Sequence, residues 1–347
     1  MIRPLLLCLL LVLLPFGAQA DVQHMEAVRY ARYGSPDVLK VVKARAPELR
    51  KGFVRVQVHA AGVNTIDWKI RKGGTFTGFP YPPPLIPGYD FSGVIDAVGK
   101  DVEGFAVGDE VFGMLPLETP GAYAEYVAVD ARAIARKPEG VSHTVAAALP
   151  MPALTASQAL FGNAKLQAKQ TVLIHGAAGG VGHIALQLAK ASGAHVIATG
   201  STGRQEFLLG LGADQFVDYT AQPFEQVVRD VDVVLDTVGG DTLARSYGVL
   251  KPGGILLSLV EPLDERELRR RGIRGEMILV APSGKMLEVV ARELTAGRLR
   301  VEIEQVFPLA AAATAHRRSE TRRVQGRLVL SLLPDKLSDA AGGASRP

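Results

Sequence analysis

The sequence predicts an α/β protein in two parts, a β-rich barrel-like unit followed by a doubly wound parallel sheet. Three observations predict it. After Met25 come short alternating apolar runs broken by Gly and Pro: "FVRVQVHAAGV", "FSGVIDAVG", "VGDEVFGM" and "AYAEYVAV". Regularly spaced short strands with turn signals read as an all-β unit. From about Ser142 the texture changes, and apolar strands alternate with helical segments, which implies crossovers and a parallel sheet. Finally, "TVLIHGAAGGVGHIALQLAK" (Thr171–Lys190) reads as a strand, a glycine-rich turn and a helix.

The elements follow in order. Residues 1–20, "MIRPLLLCLLLVLLPFGAQA", carry a basic start at Arg3, an apolar run from Leu5 to Leu14 and Ala18-Gln19-Ala20. That is the layout of a secretory signal peptide, with an apolar run too short to span a membrane comfortably. Export implies a periplasmic or secreted protein. Translation from Met25, which opens "MEAVRYARYGSPDVLKVV", implies a cytoplasmic one. The single cysteine, Cys8, lies in this leader, so the mature chain is expected to hold neither a disulfide nor a cysteine-ligated zinc. "YPPPLIPGYD" is a loop, because consecutive prolines cannot join a sheet interior. "SHTVAAALPMPALTASQALFG" is Ala-rich and helical, interrupted by Pro150 and Pro152. "HVIATG", "QFVDY", "VDVVLDTVGG" and "GGILLSLV" supply further strands, with the helix "RQEFLLGLG" between the first two. "APSGKMLEVVARELTAGRL" is helical, "EIEQVFPL" and "GRLVLSLL" are the last strands, and residues 334–347 are expected to be a disordered tail.

Composition excludes several classes. Apolar residues make up 48% and charged residues 21% of the 347, as in globular proteins. The net charge is only +4. Arginines cluster in "RELRRRGIR" (Arg266–Arg274) and "HRRSETRR" (His316–Arg323), without interleaved aromatics. Such runs read as solvated helix faces, and no nucleic-acid partner is expected.

The glycine turn carries the first chemistry. Side chains would keep a pyrophosphate away from the backbone. Gly176, Gly179, Gly180 and Gly182 remove them, and the helix start offers free N–H groups and positive dipole charge. Ala177 stands where the common fingerprint has its first glycine, so the strand-turn-helix context carries the assignment. The end of the next strand selects the cofactor. An acidic residue there would hold an unmodified ribose. "ATGSTGRQ" instead offers the hydroxyls of Ser201 and Thr202 and the cation of Arg204, which suit a 2′-phosphate. Tyr219 can add a phenol. The expected cofactor is NADPH, held by Gly179, Gly180, Val181, Ser201, Thr202, Arg204 and Tyr219. An ordinary first-turn helix arginine is the alternative for Arg204, and a surface tyrosine the alternative for Tyr219. His175 and His183 flank the turn and read as structural. Neither has an apparent Ser or Asp partner, so no triad is expected.

Taken together, "AAGVNTIDWKIRKG", "IPGYDFSGVIDAVG", "GDEVFG", "LTASQAL", "HGAAGGVG", "LDTVGG" and "VQGRLVL" resemble the medium-chain dehydrogenase/reductase superfamily, and more narrowly its zinc-free quinone and alkenal oxidoreductases. The likeness runs from about Met25 to Leu333. It implies a GroES-like catalytic domain over 25–147, a Rossmann NADP-binding domain over 148–282 and a return to the first domain over 283–333. Zinc alcohol dehydrogenases of the superfamily have Cys where this chain has Asn64 and a His-Glu pair where it has Tyr89-Asp90. No soft ligands remain at these places, and no metal is expected. The resemblance also places Thr155 beside the nicotinamide and implies a homodimer, by edge pairing near "GEMILV" (Gly275–Val280).

Hydride delivery to a quinone, or to the C=C bond of an α,β-unsaturated carbonyl, moves charge onto an oxygen that fixed donors can stabilise. The catalytic candidates are Asn64, as an amide donor to that oxygen; Asp67, as an orienting carboxylate; Lys69, as nearby positive charge; and Tyr89, as proton donor or pocket wall. Each has a structural alternative: turn cap, helix start, solvated lysine and packing, respectively. Two rival functions stand beside this one. One is a zinc-free reductase of C=O. The other is an NADPH-binding regulator or RNA-binding protein with little turnover.

Overall fold

The computed structural model describes residues 23–74 and 78–333. The expected signal peptide, Cys8 and the expected disordered tail lie outside the described residues.

The first lobe opens with a small antiparallel pair, β1 (His24–Arg29) and β2 (Lys40–Arg45). The long strand β3 (Phe53–Val63) runs into helix α1 (Thr65–Arg71). There follow β4 (Asp90–Val98), β5 (Glu110–Met114), β6 (Tyr126–Asp130) and β7 (Ile134–Arg136). Helix α2 (His143–Ala147) starts on Ser142, whose hydroxyl accepts from the Val145 N–H. Helix α3 (Pro150–Ser157) has Pro150 in its first position. The structure corrects one expectation here. Pro152 interrupts nothing, because it too lies in the first turn of α3, where an N–H has no intrahelical partner to lose. A π-helical turn over Gln158–Asn163 ends the segment.

The second lobe alternates as expected: β8 (Thr171–Ile174), α4 (Gly182–Ala191), β9 (His195–Gly200), α5 (Gln205–Gly210), β10 (Gln215–Asp218), β11 (Val231–Asp236), α6 (Asp241–Ser246), β12 (Leu250–Ser258), α7 (Glu265–Arg271) and β13 (Arg274–Met277). All six strands are parallel, in the order β10-β9-β8-β11-β12-β13. That is the doubly wound 3-2-1-4-5-6 order. Both faces are buried: Val172 and Ile174 join the core that runs through both lobes, whereas Leu173, Val234 and Leu256 join a second cluster with Phe224, Leu243 and Leu268.

The chain then returns through α8 (Gly284–Thr295), β14 (Ile303–Pro308), α9 (Ala312–Glu320) and β15 (Arg327–Ser331). The return completes the first lobe's sheet, ordered β14-β15-β3-β4-β5-β7 with β6 on β3. The two arginine runs behave differently. On α7, Arg269 pairs with Glu265, and Arg270 and Arg271 pair with Glu267, as a solvated face should. On α9, Arg317 and Arg318 pair with Asp37 and Glu304, but His316 points inward and is fully buried.

Candidate functional site

Strand β8 delivers the chain to the glycine turn at the carboxyl edge of the second sheet, and α4 leaves from it. A Cβ on Gly182 would lie 2.3 Å from the Gly176 carbonyl, so only glycine lets the helix start this close to the strand end. Main-chain and histidine contacts brace the turn. His183 Nδ1–H donates to the Gly179 carbonyl at 2.8 Å, and its Nε2 accepts from the Glu302 N–H. Burial pushes the His183 pKa down to about 4, so the ring is neutral and this tautomer is fixed. The Gly326 N–H donates to the Ala178 carbonyl at 2.8 Å. Gly326 has φ +67° and its Cβ would lie 2.2 Å from the Glu302 carbonyl, which explains the glycine in "VQGRLVL". The return segment therefore grips the turn that α4 opens.

Ser201, Thr202, Arg204 and Tyr219 gather at the carboxyl ends of β9 and β10. Arg204 donates to the Gln325 side chain and to the Arg323 carbonyl. Tyr219 is exposed, its backbone N–H held by Gly200. Sequence reasoning missed one neighbour. The Thr202 hydroxyl donates to the Asp218 carboxylate, which Thr220 also holds. These hydrogen bonds keep Asp218 below the usual carboxylate range, so a negative charge stands beside the expected 2′-phosphate position. It escaped notice because it comes from the next strand rather than from the end of β9.

His175 overturns one expectation, since it does have a serine partner. Its Nδ1 meets Thr199 Oγ1 at 3.1 Å and its Nε2 meets Ser246 Oγ at 3.0 Å. Ser246 spends its own hydrogen on the Thr242 carbonyl, so its oxygen accepts from the imidazole. Both residues are buried, and burial pushes the His175 pKa down to about 3. The pair braces β8 against α6.

The catalytic candidates sit on α1 and β4. Asn64 precedes α1 with its backbone N–H donating to Asp67 Oδ2 at 2.7 Å. One N–H of its amide donates to Asp90 Oδ2 at 3.0 Å, which leaves the second. Asp90 is a junction. It also accepts from the Met151 N–H at the start of α3 and from Arg327 on β15. Burial pushes Asp90 up to about 6, against the pull of Arg327 and the hydrogen bonds from Asn64 and Met151. Asp67 is equally buried, and its carboxyl is pushed up to about 7 by burial, opposed by the Asn64 and Tyr123 hydrogen bonds. Behind it runs a directional chain. Arg71 Nε donates to His316 Nδ1 at 3.2 Å, His316 Nε2–H faces Tyr123 Oη at 3.3 Å, and the Tyr123 hydroxyl donates to Asp67 Oδ2 at 3.0 Å. Burial, followed by the Arg71 charge, pushes the His316 pKa down to about 3. Arg71 is itself paired with Glu320.

Tyr89 lies fully inside, its hydroxyl donating to the Leu117 carbonyl at 3.1 Å, and burial raises its pKa far above the phenol range. Asp67 and Tyr89 line a crevice beneath α1 too narrow to admit water, together with Tyr30, Ile70, Leu85, Pro87 and Pro120. Lys69 is half-buried. Burial and the Arg322 charge lower its pKa, while the Glu261 charge, from the loop after β12, raises it. Thr155 is buried on α3.

Besides Asp218, the residues missed by sequence reasoning are Arg327, Tyr123, His316 and Arg71. The available signal was an arginine opening an apolar strand in "GRLVL" and a histidine within an arginine run. Among the described residues, no cluster of three or more His, Cys, Asp or Glu is placed to hold a metal ion, and no helix is long and apolar enough to cross a membrane.

Known proteins resemble this chain along most of its length. The family descriptions "Alcohol dehydrogenase GroES-like domain" and "Zinc-binding dehydrogenase" match residues 50–139 and 211–330. A 2-methylene-furan-3-one reductase from Solanum lycopersicum is 36% identical over 322 residues, covering 90% of this chain and 80% of that protein. An NADPH-dependent alkenal/one oxidoreductase from Arabidopsis thaliana is 32% identical, covering 90% of this chain and 81% of that protein. The quinone oxidoreductase structure from Coxiella burnetii superposes with a TM-score of 0.84 at 37% identity, covering 89% of this chain and 99% of that one.

Proposed function

Because the chain belongs to the medium-chain dehydrogenase/reductase superfamily, on its quinone and alkenal oxidoreductase side, we propose that it reduces quinones or the C=C bond of α,β-unsaturated carbonyls with NADPH. It is an NAD(P)H-dependent oxidoreductase, as relatives named NAD(P)H oxidoreductase and NADPH-dependent alkenal/one oxidoreductase indicate. The choice of NADPH over NADH, the residue roles, a homodimer and the domain limits at 147/148 and 282/283 are parts of the proposal.

One observation carries the reading. Asn64 is fixed at both ends, by Asp67 on its backbone and Asp90 on its amide, with one amide N–H left over. A prearranged neutral donor suits an oxygen that gains charge as hydride arrives elsewhere on the acceptor. The Asp90 carboxylate, at a place where zinc relatives carry a ligand, is engaged with Asn64 and Arg327.

The cradle fits a dinucleotide. The turn is stripped of side chains where α4 begins, and an N–H-rich helix start faces it. Gly179, Gly180 and Val181 would hold the diphosphate, Thr155 the nicotinamide side, and Ser201, Thr202, Arg204 and Tyr219 the 2′-phosphate. Bound there, the reduced cofactor supplies hydride. Asn64 donates to the acceptor oxygen and Lys69 adds positive charge to the same cleft. Asp67 orients Asn64, and Tyr89 walls the pocket with its hydroxyl kept for Leu117. The edge strand β13, followed by the exposed Leu279, is the proposed dimer contact.

NADPH oxidation against a panel of quinones, enals and enones, with products identified, tests the reading. A saturated aldehyde from an enal supports it. An allylic alcohol moves the assignment to C=O reduction, and cofactor binding without turnover moves it to a regulator.

A further inference from the structure

The two oxygens of Asp67 have unlike surroundings. Oδ2 accepts from the Asn64 backbone N–H at 2.7 Å and from the Tyr123 hydroxyl at 3.0 Å. Oδ1 is buried and has no hydrogen-bond partner among the described residues. The crevice that Asp67 lines is too narrow to admit water, and the Tyr30 hydroxyl in the same wall is buried and unpartnered as well. An ionised carboxylate spreads its charge over both oxygens, so an oxygen with neither donor nor water leaves that charge unsolvated. The surroundings supply no counter-charge either. No ion pair reaches Asp67 among the described residues. The phenols of Tyr30, Tyr89 and Tyr123 face it, all uncharged. Asp90 opposes a second negative charge, and the pull of Arg327 is the weaker for its pairing with Asp90. Arg71, on the same helix, is engaged with Glu320, the Gly34 carbonyl and His316. Asp67 and Asp90 thus lie together beneath Asn64, and only Asp90 has a cation against it. The upward push of burial on the Asp67 carboxyl agrees with this arrangement.

We propose that Asp67 is a positioning residue that works as the neutral acid, with its proton on Oδ1, so that the ground beneath Asn64 stays uncharged while the acceptor oxygen takes up charge. Ionised, Asp67 would set an unpaired negative charge against the main chain of the very residue that donates to that oxygen. Like charges oppose each other strongly where water is excluded, and the transition state carries more charge on oxygen than the bound acceptor does. The neutral acid still accepts from Asn64 through Oδ2, so it keeps the donor in place without this penalty. Its proton remains on Asp67 and is not the one delivered to the product. The proposal rests on the reading of Asn64 as donor to the acceptor oxygen and adds that the reaction depends on the charge state of the residue behind it.

The test is the rate of hydride transfer in a single turnover, followed by loss of NADPH absorbance at saturating cofactor and acceptor, from about pH 5 to about pH 9, on either side of the ordinary neutral range. Crotonaldehyde and benzoquinone serve as acceptors, with near-UV circular dichroism as the check of fold. In the wild type the rate should fall about 10- to 100-fold as pH rises through the Asp67 transition, the scale of one uncompensated charge near the reacting atoms. Asp67→Asn is neutral at every pH, and its amide oxygen can still accept from Asn64 and Tyr123. It should lose the fall, to within about twofold across the range. Tyr123→Phe removes a donor that favours the charged form, so it should move the fall up by about one pH unit. A fall that persists in Asp67→Asn overturns the proposal, as does a wild-type rate that is flat in pH. Should Asp67→Asn not fold, Tyr123→Phe decides alone, and an unmoved fall overturns the proposal. A lost native spectrum in both variants overturns it too, because the pair then serves folding alone. Wild type that transfers hydride to neither acceptor overturns the reductase reading itself, a result distinct from all of these.

Discussion

Two regions meet at the cleft and are built on opposite plans. The glycine turn between β8 and α4 is made by leaving side chains out; its shape comes from main chain close in sequence, with two braces from the return segment. The junction beneath Asn64 is made by putting polar side chains in. Asp90, Asp67, Tyr123, His316, Arg71 and Arg327 come from distant parts of the chain and hydrogen-bond to one another out of reach of water, with Asp67 Oδ1 left without a partner. The first region tolerates no added atom, and the second tolerates no missing one. Stability should therefore fall for opposite reasons in the two places.

The sharpest way to break the comparison is Arg327→Met, which leaves Asp90 buried without its cation. Breaking a buried pair from one side costs about 3–5 kcal/mol, to be read from urea unfolding. A loss below about 1 kcal/mol would mean that the junction relaxes as freely as a surface. Gly326→Ala tests the other plan by adding one carbon at φ +67°, against a carbonyl 2.2 Å away. It should cost about 1–3 kcal/mol by the same measurement and weaken NADPH binding, because the Gly326 N–H braces the turn.

A pH series sharpens the contrast further. Asp67, at about 7 in the fold against 3.8 as its ordinary value, holds a proton that the unfolded chain has released between those values. Its contribution to stability is therefore fully present at low pH and is lost as pH rises from about 4 to about 7. The buried histidines His175, His183 and His316 act in the reverse sense, since their lowered pKa values make stability rise with pH up to about 6.5. The difference between wild type and Asp67→Asn isolates the first effect, and wild type should lose stability relative to the variant across that window. A parallel pair of curves would show that Asp67 is ionised throughout. The smallest expected effects concern cofactor choice, at the exposed ends of β9 and β10. Asp218→Asn should raise the NADPH/NADH ratio of kcat/KM a few-fold and Arg204→Ala should lower it by a similar factor, small effects as for exposed charges.

The same contrast explains what was legible in the sequence. Strand and helix periods, the change of texture near Ser142 and the glycine turn are local patterns, and each appears where the sequence puts it. Asn64 and Asp67 were found because they open a helix together, within three residues. Their partners were not, since Arg327 stands 237 residues from Asp90 and His316 stands 245 from Arg71. Periodicity says which face of an element is buried. It does not say which buried polar groups will meet. Pro152 was misjudged for a related reason, because its harmlessness depends on where α3 starts, a boundary local pattern places only to within a few residues.

Strand β15 lies between β14 and β3 and pairs Leu328 with Val63. On a ribosome, which releases the chain from its amino end, the second lobe's six strands emerge complete by Met277. The first lobe, although synthesised earlier, must wait with the end of β3, Ala60 to Val63, bare on one side until the last strand arrives. Chains halted after Met277 should therefore hold a formed parallel sheet beside an unfinished partner, the species on which chaperones would act during synthesis.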